Sequence, residues 1–421
     1  MEKLAIDGGT PVKTTPFGTG KRFGDQELAN LREALETDSL FYWGGKMTQR
    51  LLDRFGEYTD TQYAVACSSG SAAVHVAAMA AGVTVGDEVI TASNTDAGTV
   101  LGVLYQNAVP VFADVHPYSY LMDPADVEKR ITPRTKAIIA IHLTGNPCDM
   151  DAYTALAEKH NLMLIEDCAQ AYGCKFKGRM VGSFGHLGCF SLNHYKHINC
   201  GDGGVVVTND RKLYELAHDF ADKCYDRLAA GQNRQLRRVW TLAPNYRITE
   251  LQSAVALAQL DKVEHITARR HELGDRFGKG IAGLPGIYPH EITPNGYGTY
   301  WFTGLTVEQE AAGVSPQQFA DALAAEGVGS SYLGYFSLLE HELFTQRNAY
   351  RGTHFPFEGG PHGESYHYDL ADYPNTAMMQ TCFIHLPVNE FFTDRDVDDM
   401  IAAVRKVAAW YAAHPVEAAS T

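Results

Sequence analysis

Short apolar runs alternate with segments of helical spacing along the first half of the chain. The apolar runs, which predict strands, span residues 63–67, 88–92, 109–115, 137–143, 162–165 and 205–208. The segments predicted to be helical span residues 71–81, 99–105, 124–130, 150–160 and 211–221. Strands that alternate with helices are typical of a largely parallel sheet covered on both faces. The pattern therefore predicts an α/β fold with a mostly parallel central sheet sandwiched by helices.

The second half of the chain follows a different pattern and predicts a second domain. After a long helix through residues 269–270, strand-like and helical segments are mixed: strands at 299–305 and 382–386, and helices at 316–325 and 393–412. We predict a large domain over residues 1–265, which includes an N-terminal arm, and a smaller C-terminal α+β domain over residues 266–421.

Three segments outside this alternation are also predicted from their residues. Residues 25–37 form an amphipathic helix in the prediction, because three leucines recur at helical spacing: Leu28, Leu31 and Leu35. Residues 227–238 are polar and arginine-rich, and we predict a mobile loop there. Residues 351–375 are rich in Gly, Pro, His and Tyr, and they too are predicted to form a loop.

Composition narrows the class of protein. Of the 421 residues, 45% are apolar and 20% are charged, which is ordinary for a globular enzyme. The net charge of −15 argues against nucleic acid as a partner, because nucleic-acid phosphates need a basic surface. No apolar run approaches the roughly 20 residues of a membrane helix, and the first residues lack the pattern of a signal peptide. We therefore expect no membrane partner and a cytoplasmic location.

The eight cysteines do not form a metal-binding or redox motif. No two of them have CxxC spacing, so neither a zinc ribbon nor a thioredoxin-like site is supported. Most lie in apolar, strand-like surroundings, which favours buried, reduced thiols. We predict no metal site.

The serines before the predicted helix at 71–81 are a candidate phosphate site. Ser68-Ser69-Gly70-Ser71 follows a strand and opens a helix, where free backbone amides and the helix dipole attract an anion. An ordinary capped helix is the alternative, because serine is a favoured N-cap residue.

An acid and a lysine complete a set of groups that suits pyridoxal phosphate. Asp167 ends a buried strand, and Lys196 lies between aromatic residues and a glycine turn at 201–204. A lysine in apolar surroundings has a lowered pKa and supplies the neutral amine that Schiff-base formation requires. A carboxylate facing the pyridine nitrogen would keep that nitrogen protonated. Taken alone, Asp167 is compatible with a helix cap and Lys196 with a surface lysine, but the ordered set favours the cofactor.

Four ordered motifs resemble the DegT/DnrJ/EryC1/StrS family of sugar aminotransferases, which has the aspartate aminotransferase (type I) fold. They are Ser69–Ala73, Glu166–Ala171, Phe190–Ser191 with Lys196 and the 201–204 turn, and Pro244–Gln252. Shorter matches occur at 132–138 and 142–145, and the likeness runs from about residue 5 to 410.

The resemblance implies a role for each matching residue. Lys196 would form the Schiff base with pyridoxal 5'-phosphate and carry the proton, Asp167 would pair with the pyridine nitrogen, and Gln170 would lie against the ring. The phosphate would be held by Ser71, Ala72 and Ser191. Asn245 would reach the phosphate of the neighbouring subunit, which implies a homodimer with shared active sites.

Two departures from the family pattern bear on the reaction. Relatives place an aromatic residue over the pyridine ring, at the position where this chain has Asp96 after Thr95. A carboxylate cannot stack, but it could bind a substrate hydroxyl or amine, or repel an anionic substrate. The histidines beside Lys196, including His194, are similar to those of the deoxysugar dehydratase branch, in which histidine replaces the lysine. His142 and the histidines and tyrosines of 351–375 could also contact a polyhydroxyl substrate, although a solvated loop explains the latter as well.

The sequence thus predicts a pyridoxal phosphate-dependent aminotransferase. Glutamate or glutamine would supply the amino group to a keto-sugar, a nucleotide-linked keto-sugar or a keto-cyclitol, in amino-sugar or secondary-metabolite biosynthesis. One alternative is elimination or dehydration of a sugar with the same cofactor. A non-catalytic regulator of the same fold is less consistent with the intact set of Asp167, Ser191 and Lys196.

Overall fold

The computed structural model describes residues 2–230, 233, 238–329 and 332–416. The strands are β1 (Tyr63–Cys67), β2 (Glu88–Ala92), β3 (Val109–Ala113), β4 (Thr135–Ile141), β5 (Met163–Asp167), β6 (Lys175–Phe176), β7 (Arg179–Met180), β8 (Leu187–Ser191), β9 (Gly204–Thr208), β10 (Ile287–Pro289), β11 (Gly296–Tyr297), β12 (Thr303–Val307), β13 (Tyr332–Leu333) and β14 (Phe383–Leu386). The helices are α1 (Asp25–Glu36), α2 (Lys46–Thr59), α3 (Gly70–Ala80), α4 (Gly98–Tyr105), α5 (Pro124–Arg130), α6 (Met150–His160), α7 (Arg211–Ala221), α8 (Arg227–Ala230), α9 (Glu250–Leu260), α10 (Val263–Ile281), α11 (Gln309–Ala312), α12 (Pro316–Ala325), α13 (Glu342–Thr345), α14 (Pro374–Cys382) and α15 (Asp394–Ala413).

A seven-stranded sheet forms the centre of the molecule, in the order β1-β9-β8-β5-β4-β2-β3. All its neighbouring strands pair in parallel except β9, which is antiparallel to both β1 and β8. The predicted α/β fold with a mostly parallel sheet is confirmed. Because six strands point the same way, their carboxyl ends meet at one edge, where ligands of such sheets bind.

Helix α3 is buried along almost its whole length. Residues 72–78 are all buried, and five of the helix's eleven residues are alanines. Small side chains allow neighbouring elements to approach the helix closely, and α3 contacts α4, α7, β8 and β9. The N-terminus of α3 is thereby held at the carboxyl end of β1.

Helix α1 has the predicted extent, but the face that it buries is rotated away from the predicted leucine face, of which only Leu31 packs against the core. Leu28 and Leu35 are 62% and 59% exposed, whereas Glu27, Asn30 and Ala34 are buried. The polar residues are tolerated because they are hydrogen-bonded: Glu27 accepts from the side chain amide of Gln259 at 2.8 Å, and Asn30 donates to the Ala254 carbonyl at 3.1 Å. Paired polar groups on α9 therefore decide which face of α1 is buried.

The C-terminal part contains a four-stranded antiparallel sheet, in the order β10-β12-β14-β13. Its core is shared with α10, α12 and α15. Leu4 is fully buried in the same core, and the backbone amides of Ala5 and Val12 donate to the Glu326 carboxylate at 2.9 and 3.0 Å. The N-terminal arm that we assign to the large domain thus packs on the C-terminal part.

The segment 351–375 lacks long elements, but it is not a solvated loop. Phe357 is fully buried, Tyr366 donates to the Glu88 carboxylate at 2.7 Å, and Tyr368 donates to the Pro110 carbonyl at 2.7 Å. The segment therefore covers the β2–β3 edge of the central sheet, although it follows β12 in the chain.

The polar stretch predicted to be a mobile loop begins with α8, and residues 231, 232 and 234–237 lie outside the described residues. Strands β6, β7 and β11 form a small third sheet. Of the helices that the structure describes, none combines the length and the hydropathy of a membrane span.

Candidate active site

A cleft of about 720 Å³ opens at the carboxyl edge of the central sheet. Its walls come from the ends of β1, β5 and β8, from the start of α4, and from residues of the C-terminal part around β12 and β14. The volume is in the range of small-molecule and cofactor sites. Of the predicted site residues, the cleft brings together Ser71, Asp96, Asp167, Gln170, Ser191 and Lys196.

The N-terminus of α3 forms one wall of the cleft. Ser69 is the N-cap, and its Oγ accepts a hydrogen bond from the Ala72 amide at 3.1 Å. A Cβ on Gly70 would lie 2.6 Å from Cβ of Ser191, so only glycine allows β8 to come this close. The Ser191 hydroxyl consequently lies at the first turn of α3. Because the Ala72 amide is used by the cap, Ser71 and Ser191 are the better placed of the predicted phosphate ligands.

Asp96 lies beside Ser71 at the start of α4. Its Oδ1 accepts a hydrogen bond from the Gly98 amide at 2.8 Å, and its side chain borders the cleft. A Cβ on Gly98 would lie 2.4 Å from Oγ of Ser71 and 3.1 Å from Oδ1 of Asp96. This places the Asp96 carboxylate next to the predicted phosphate site.

The carboxylate of Asp167 lies on the floor of the cleft. Its Oδ2 accepts from the Thr99 hydroxyl at 2.8 Å, and its Oδ1 accepts from the Ala169 amide at 3.1 Å. Burial raises the pKa of Asp167 despite these two donors and the positive charge of Lys196. No ion pair to Asp167 is found among the described residues, so this buried acid is one that a cationic ligand would stabilise.

Lys196 belongs to a tight turn after β8. Its amide donates to the Asn193 carbonyl at 2.9 Å, and the His194 amide donates to the Gly201 carbonyl at 3.0 Å. The side chain points into the cleft, and Nζ lies 4.4 Å from the ring centroid of Trp301. Burial lowers the pKa of Lys196, and the charges of Asp167 and Asp96 act in the opposite direction. The amine is therefore easier to deprotonate than that of an exposed lysine.

Both the oxygen and the nitrogen of the Gln170 side-chain amide are hydrogen-bonded. Its Oε1 accepts from the Thr144 amide at 2.9 Å, and its Nε2 donates to the Tyr335 hydroxyl at 2.9 Å. The side chain is buried and borders the cleft, three residues beyond Asp167. Gln170 thus lies near Asp167 in the cleft, and its contact with a cofactor ring stays a prediction.

Comparison with known proteins agrees with this geometry. Residues 21–405 match the DegT/DnrJ/EryC1/StrS aminotransferase family. The chain belongs to this family. It is therefore an aminotransferase, as the sequence motifs predict.

Relatives of the family with different acceptors are similar to this chain. GDP-perosamine synthase of Escherichia coli O157:H7 is 32% identical over 357 residues, which is 83% of this chain and 92% of that protein. The L-glutamine:2-deoxy-scyllo-inosose aminotransferase of Micromonospora echinospora is 35% identical over 360 residues, or 82% and 85% of the two chains. An aminotransferase from Psychrobacter cryohalolentis superimposes with a TM-score of 0.82 at 25% identity, covering 94% of this chain and 100% of that one. The predicted type I fold is confirmed.

His142 lies outside the cleft in this family member. The residue is fully buried, its Nδ1 accepts from the Cys148 amide at 3.0 Å, and its Nε2 therefore carries the hydrogen that is donated to Glu166 at 3.0 Å. Glu166 also accepts three backbone amides at 2.7 Å each: those of Gly182, Phe184 and Gly185. The predicted substrate contact of His142 is thus not supported, and its ring supports the loop after β7.

The same hydrogen bonds argue against a metal ion. His142, Glu166 and Cys168 bring potential ligand atoms within 4.8 Å of one another. However, the Nε2 atom of His142 is protonated, and the carboxylate already accepts four hydrogen bonds. A metal ion would have to displace these donors from a site without solvent access.

Asn245 and His194 are exposed and do not border the cleft of their own chain. Asn245 forms a single backbone bridge with Asp222, and the Asn245 side chain is on the surface. His194 stacks edge-on against Tyr195 at the outer side of the lysine turn. The structure therefore leaves Asn245 available to another chain and gives His194 no direct position in the cleft.

Several lining residues of this aminotransferase have no signal in the sequence motifs. Thr99, Arg270, Trp301, Phe302 and His385 all border the cleft. All but Thr99 lie more than 70 residues beyond Lys196 in the chain, and only the fold brings them near it. Burial lowers the pKa of His385 to about 4, so the ring is neutral near pH 7.

Proposed function

We propose that this chain is a pyridoxal phosphate-dependent aminotransferase that moves the amino group of glutamate or glutamine to a polyhydroxylated ketone. The observation that carries the proposal is the buried carboxylate of Asp167 without an ion-pair partner among the described residues. It borders the same cleft as the amine of Lys196 and the N-terminus of α3. A protonated pyridine nitrogen is the cation that this arrangement suits.

The residues present fit each part of the cofactor. The phosphate suits the first turn of α3, where the helix dipole and the hydroxyls of Ser71 and Ser191 converge. Asp167 suits the pyridine nitrogen, and Lys196 suits the aldehyde carbon. When bound, the cofactor carries the amino group and accepts the electrons that remain on the donor carbon after its proton leaves.

The chain's own residues supply the proton transfers. Nζ of Lys196 takes the α-proton of the amino donor and returns it at the neighbouring position, and its lowered pKa favours the free amine needed for the first step. Asp167, with Thr99 and Ala169 as its donors, would face the pyridine nitrogen, whose positive charge would favour the ionised carboxylate. Gln170, fixed by Thr144 and Tyr335, would lie against the ring.

The charges in the cleft favour a neutral acceptor, such as a keto-cyclitol, over a nucleotide-linked keto-sugar. Asp96, Asp167 and Asp202 border the cleft, against two cations. One cation is Lys196. The other, Arg270, is buried, with Nε bound to Glu390 at 2.8 Å and Nη1 bound to three backbone carbonyls. Arg270 is thus already bound by its own chain, and Lys196 would be joined to the cofactor. Among the described residues that line the cleft, neither cation is therefore available for the diphosphate that such a substrate would bring.

A homodimer with shared active sites is part of the proposal. Asn245 is exposed, and the same chain presents exposed apolar side chains at Phe41, Trp240 and Leu242. Exposed apolar groups of this kind are typical of surfaces that another protein covers. A second copy of this chain would bring its Asn245 to the phosphate site of the first.

Transamination is preferred to elimination because the lysine is retained at position 196. The experiment is an acceptor screen with the purified protein, pyridoxal phosphate and glutamine. Keto-cyclitols, free keto-sugars and nucleotide-linked keto-sugars are each incubated with this mixture. The masses of the products are then determined by mass spectrometry. Gain of an amino group on a neutral ketone supports the proposal. Loss of water without amination would establish the eliminase instead, and amination of nucleotide-linked sugars alone would refute the neutral acceptor.

A further inference from the structure

The indole of Trp301 lies against the amine of Lys196. The distance from Nζ to the ring centroid is 4.4 Å, which is within the range of a cation–π contact. Trp301 is half-buried and borders the cleft. The amine therefore rests on an aromatic face and has no hydrogen bond to Asp167 on the floor of the cleft.

Three hydrogen bonds fix the position of Trp301. Its backbone amide donates to the Thr144 carbonyl at 2.7 Å, and its carbonyl accepts from Nη1 of Arg270 at 3.1 Å. Its indole Nε1 donates to the carbonyl of Tyr195 at 2.8 Å. Because both the backbone and the ring are held, the indole presents one face at a set place.

The same network also holds the turn that carries the lysine. Arg22 donates from Nη1 to the Lys196 carbonyl at 2.9 Å, and its Nε lies 3.3 Å from Oε1 of Glu390. The second oxygen of Glu390 accepts from Arg270 at 2.8 Å. Thus Glu390 links the two arginines, one bound to the lysine turn and the other to the Trp301 backbone. Lysine and indole are held at a fixed relative position.

A free ammonium in this cleft would otherwise be attracted to the acids. Asp167 and Asp96 both raise the pKa of Lys196 by their charge, so both attract its protonated form. A lysine paired with Asp167 would cover the carboxylate that the proposed function assigns to the pyridine nitrogen. The indole face of Trp301 lies away from the floor of the cleft and offers the protonated amine an alternative contact.

We propose that Trp301 is a positioning residue that holds the protonated amine of Lys196 away from Asp167 while the amine is not bonded to the cofactor. The inference rests on the proposed function for its purpose, but the contact itself belongs to the chain alone. No bond forms or breaks in this step; the amine only changes its position and carries its proton.

The test is made on the cofactor-free protein, so that its result does not depend on aminotransferase activity. Lys196 is labelled competitively with acetic anhydride across a pH series, and its peptide is quantified by mass spectrometry. The exposed Lys129, at 72% side-chain exposure, is the internal reference. The midpoint of labelling reports the pKa of each amine.

Trp301→Leu removes the aromatic face but keeps apolar bulk in the cleft. We expect the Lys196 midpoint to rise by roughly 1 pH unit or more, because the released ammonium can then pair with the Asp167 carboxylate, and an opposite charge nearby favours the protonated amine. Trp301→Phe should give a smaller rise, since phenylalanine keeps a weaker aromatic face for the ammonium. Trp410→Phe is the control, because Trp410 lies in α15 and stacks on His414. This variant should leave the Lys196 midpoint unchanged.

An unchanged or lower midpoint in Trp301→Leu would overturn the inference, because the indole would then not be what keeps the ammonium away from Asp167. If Trp301→Leu does not fold, Trp301→Phe alone decides between a rise and no change. Failure of the proposed function would give a result that is distinct from failure of this inference. The wild-type protein would not transfer an amino group, whereas the labelling midpoints would still shift.

Discussion

The hydroxyl of Thr99 donates a hydrogen bond of 2.8 Å to Oδ2 of Asp167. The two residues lie 68 positions apart, one at the start of α4 and the other at the end of β5. The contact lowers the pKa of Asp167, whereas burial raises it. Thr99 thus helps to keep ionised the carboxylate that the proposed cofactor needs.

Replacing Thr99 with Val should weaken cofactor binding. The variant keeps the shape of the side chain but removes the donor, so the pKa of Asp167 rises further and the ionised form becomes rarer near neutral pH. We expect the Kd for pyridoxal phosphate to rise about tenfold or more, as for a hydrogen bond to a charged group. The Kd is measured by absorbance titration. Thr99→Ser, which keeps the hydroxyl, is the matched control, and equal affinity of the Val and Ser variants would contradict the role of Thr99.

Replacing Asp96 with Asn should change which acceptor is used. The amide oxygen can still accept from the Gly98 amide, so the start of α4 is preserved while the charge beside Ser71 is removed. We expect the KM for a neutral keto-cyclitol to rise roughly threefold to tenfold, the effect of losing one hydrogen bond. Use of a nucleotide-linked keto-sugar should increase because repulsion of its phosphates is lost. An acceptor preference identical to that of the wild type would show that Asp96 is only a helix cap.

The buried ion pair between Lys13 and Asp396 should make stability depend on pH. Burial raises the pKa of Asp396, but hydrogen bonds from Lys13, Thr393 and Gly18 outweigh it and lower the pKa from 3.8 to about 2. A lowered folded-state pKa stabilises the protein above the unfolded value, and this contribution is lost as the pH falls from about 4 to 2.

Asp396→Asn should therefore reduce the free energy of unfolding by about 2 kcal/mol at pH 7, and the difference from wild type should disappear near pH 2. Urea unfolding at several pH values measures both. Asp398→Asn, at a surface ion pair with Arg276, is the control and should change stability by less than about 1 kcal/mol. A deficit of equal size at pH 7 and pH 2 would mean that lost packing, not the ion pair, causes it.

His142 should be important for stability and not for substrate binding. Replacing it with Phe leaves the Cys148 amide and the Glu166 carboxylate each without one buried partner, which typically costs about 1–3 kcal/mol. The KM for both substrates should stay within about twofold of wild type, because the ring itself does not border the cleft. A large rise in the KM for the acceptor in a fully folded variant would restore the substrate role that the sequence suggested.

The part of the site built by local sequence could be predicted. Asp167 ends an apolar run, Ser69 precedes an alanine-rich helix, and Lys196 follows β8 beside a glycine turn. In each case the strand or helix that positions the residue is encoded within a few neighbours. The carboxyl ends of parallel strands then bring these residues to one edge.

The rest of the site depends on contacts that no local pattern encodes. Trp301 reaches Lys196 only because Arg270 and Thr144 hold its backbone, and Asn245 gains a role only if a second chain is present. The rotated face of α1 has the same origin, since the burial of Glu27 is decided by its partners Gln259 and Lys262 and not by its own hydropathy.

In the proposed reaction, Nζ of Lys196 carries the proton of the amino donor. The most direct measurement is exchange of the α-hydrogen of glutamate and of glutamine with deuterium from heavy water, in the presence of pyridoxal phosphate and without any acceptor. Wild type should exchange the α-hydrogen of at least one donor, and Lys196→Ala should exchange it roughly 10²–10⁴-fold more slowly, as expected for loss of a general acid–base group. Exchange at the wild-type rate by a Lys196→Ala protein that still binds the cofactor would contradict the account.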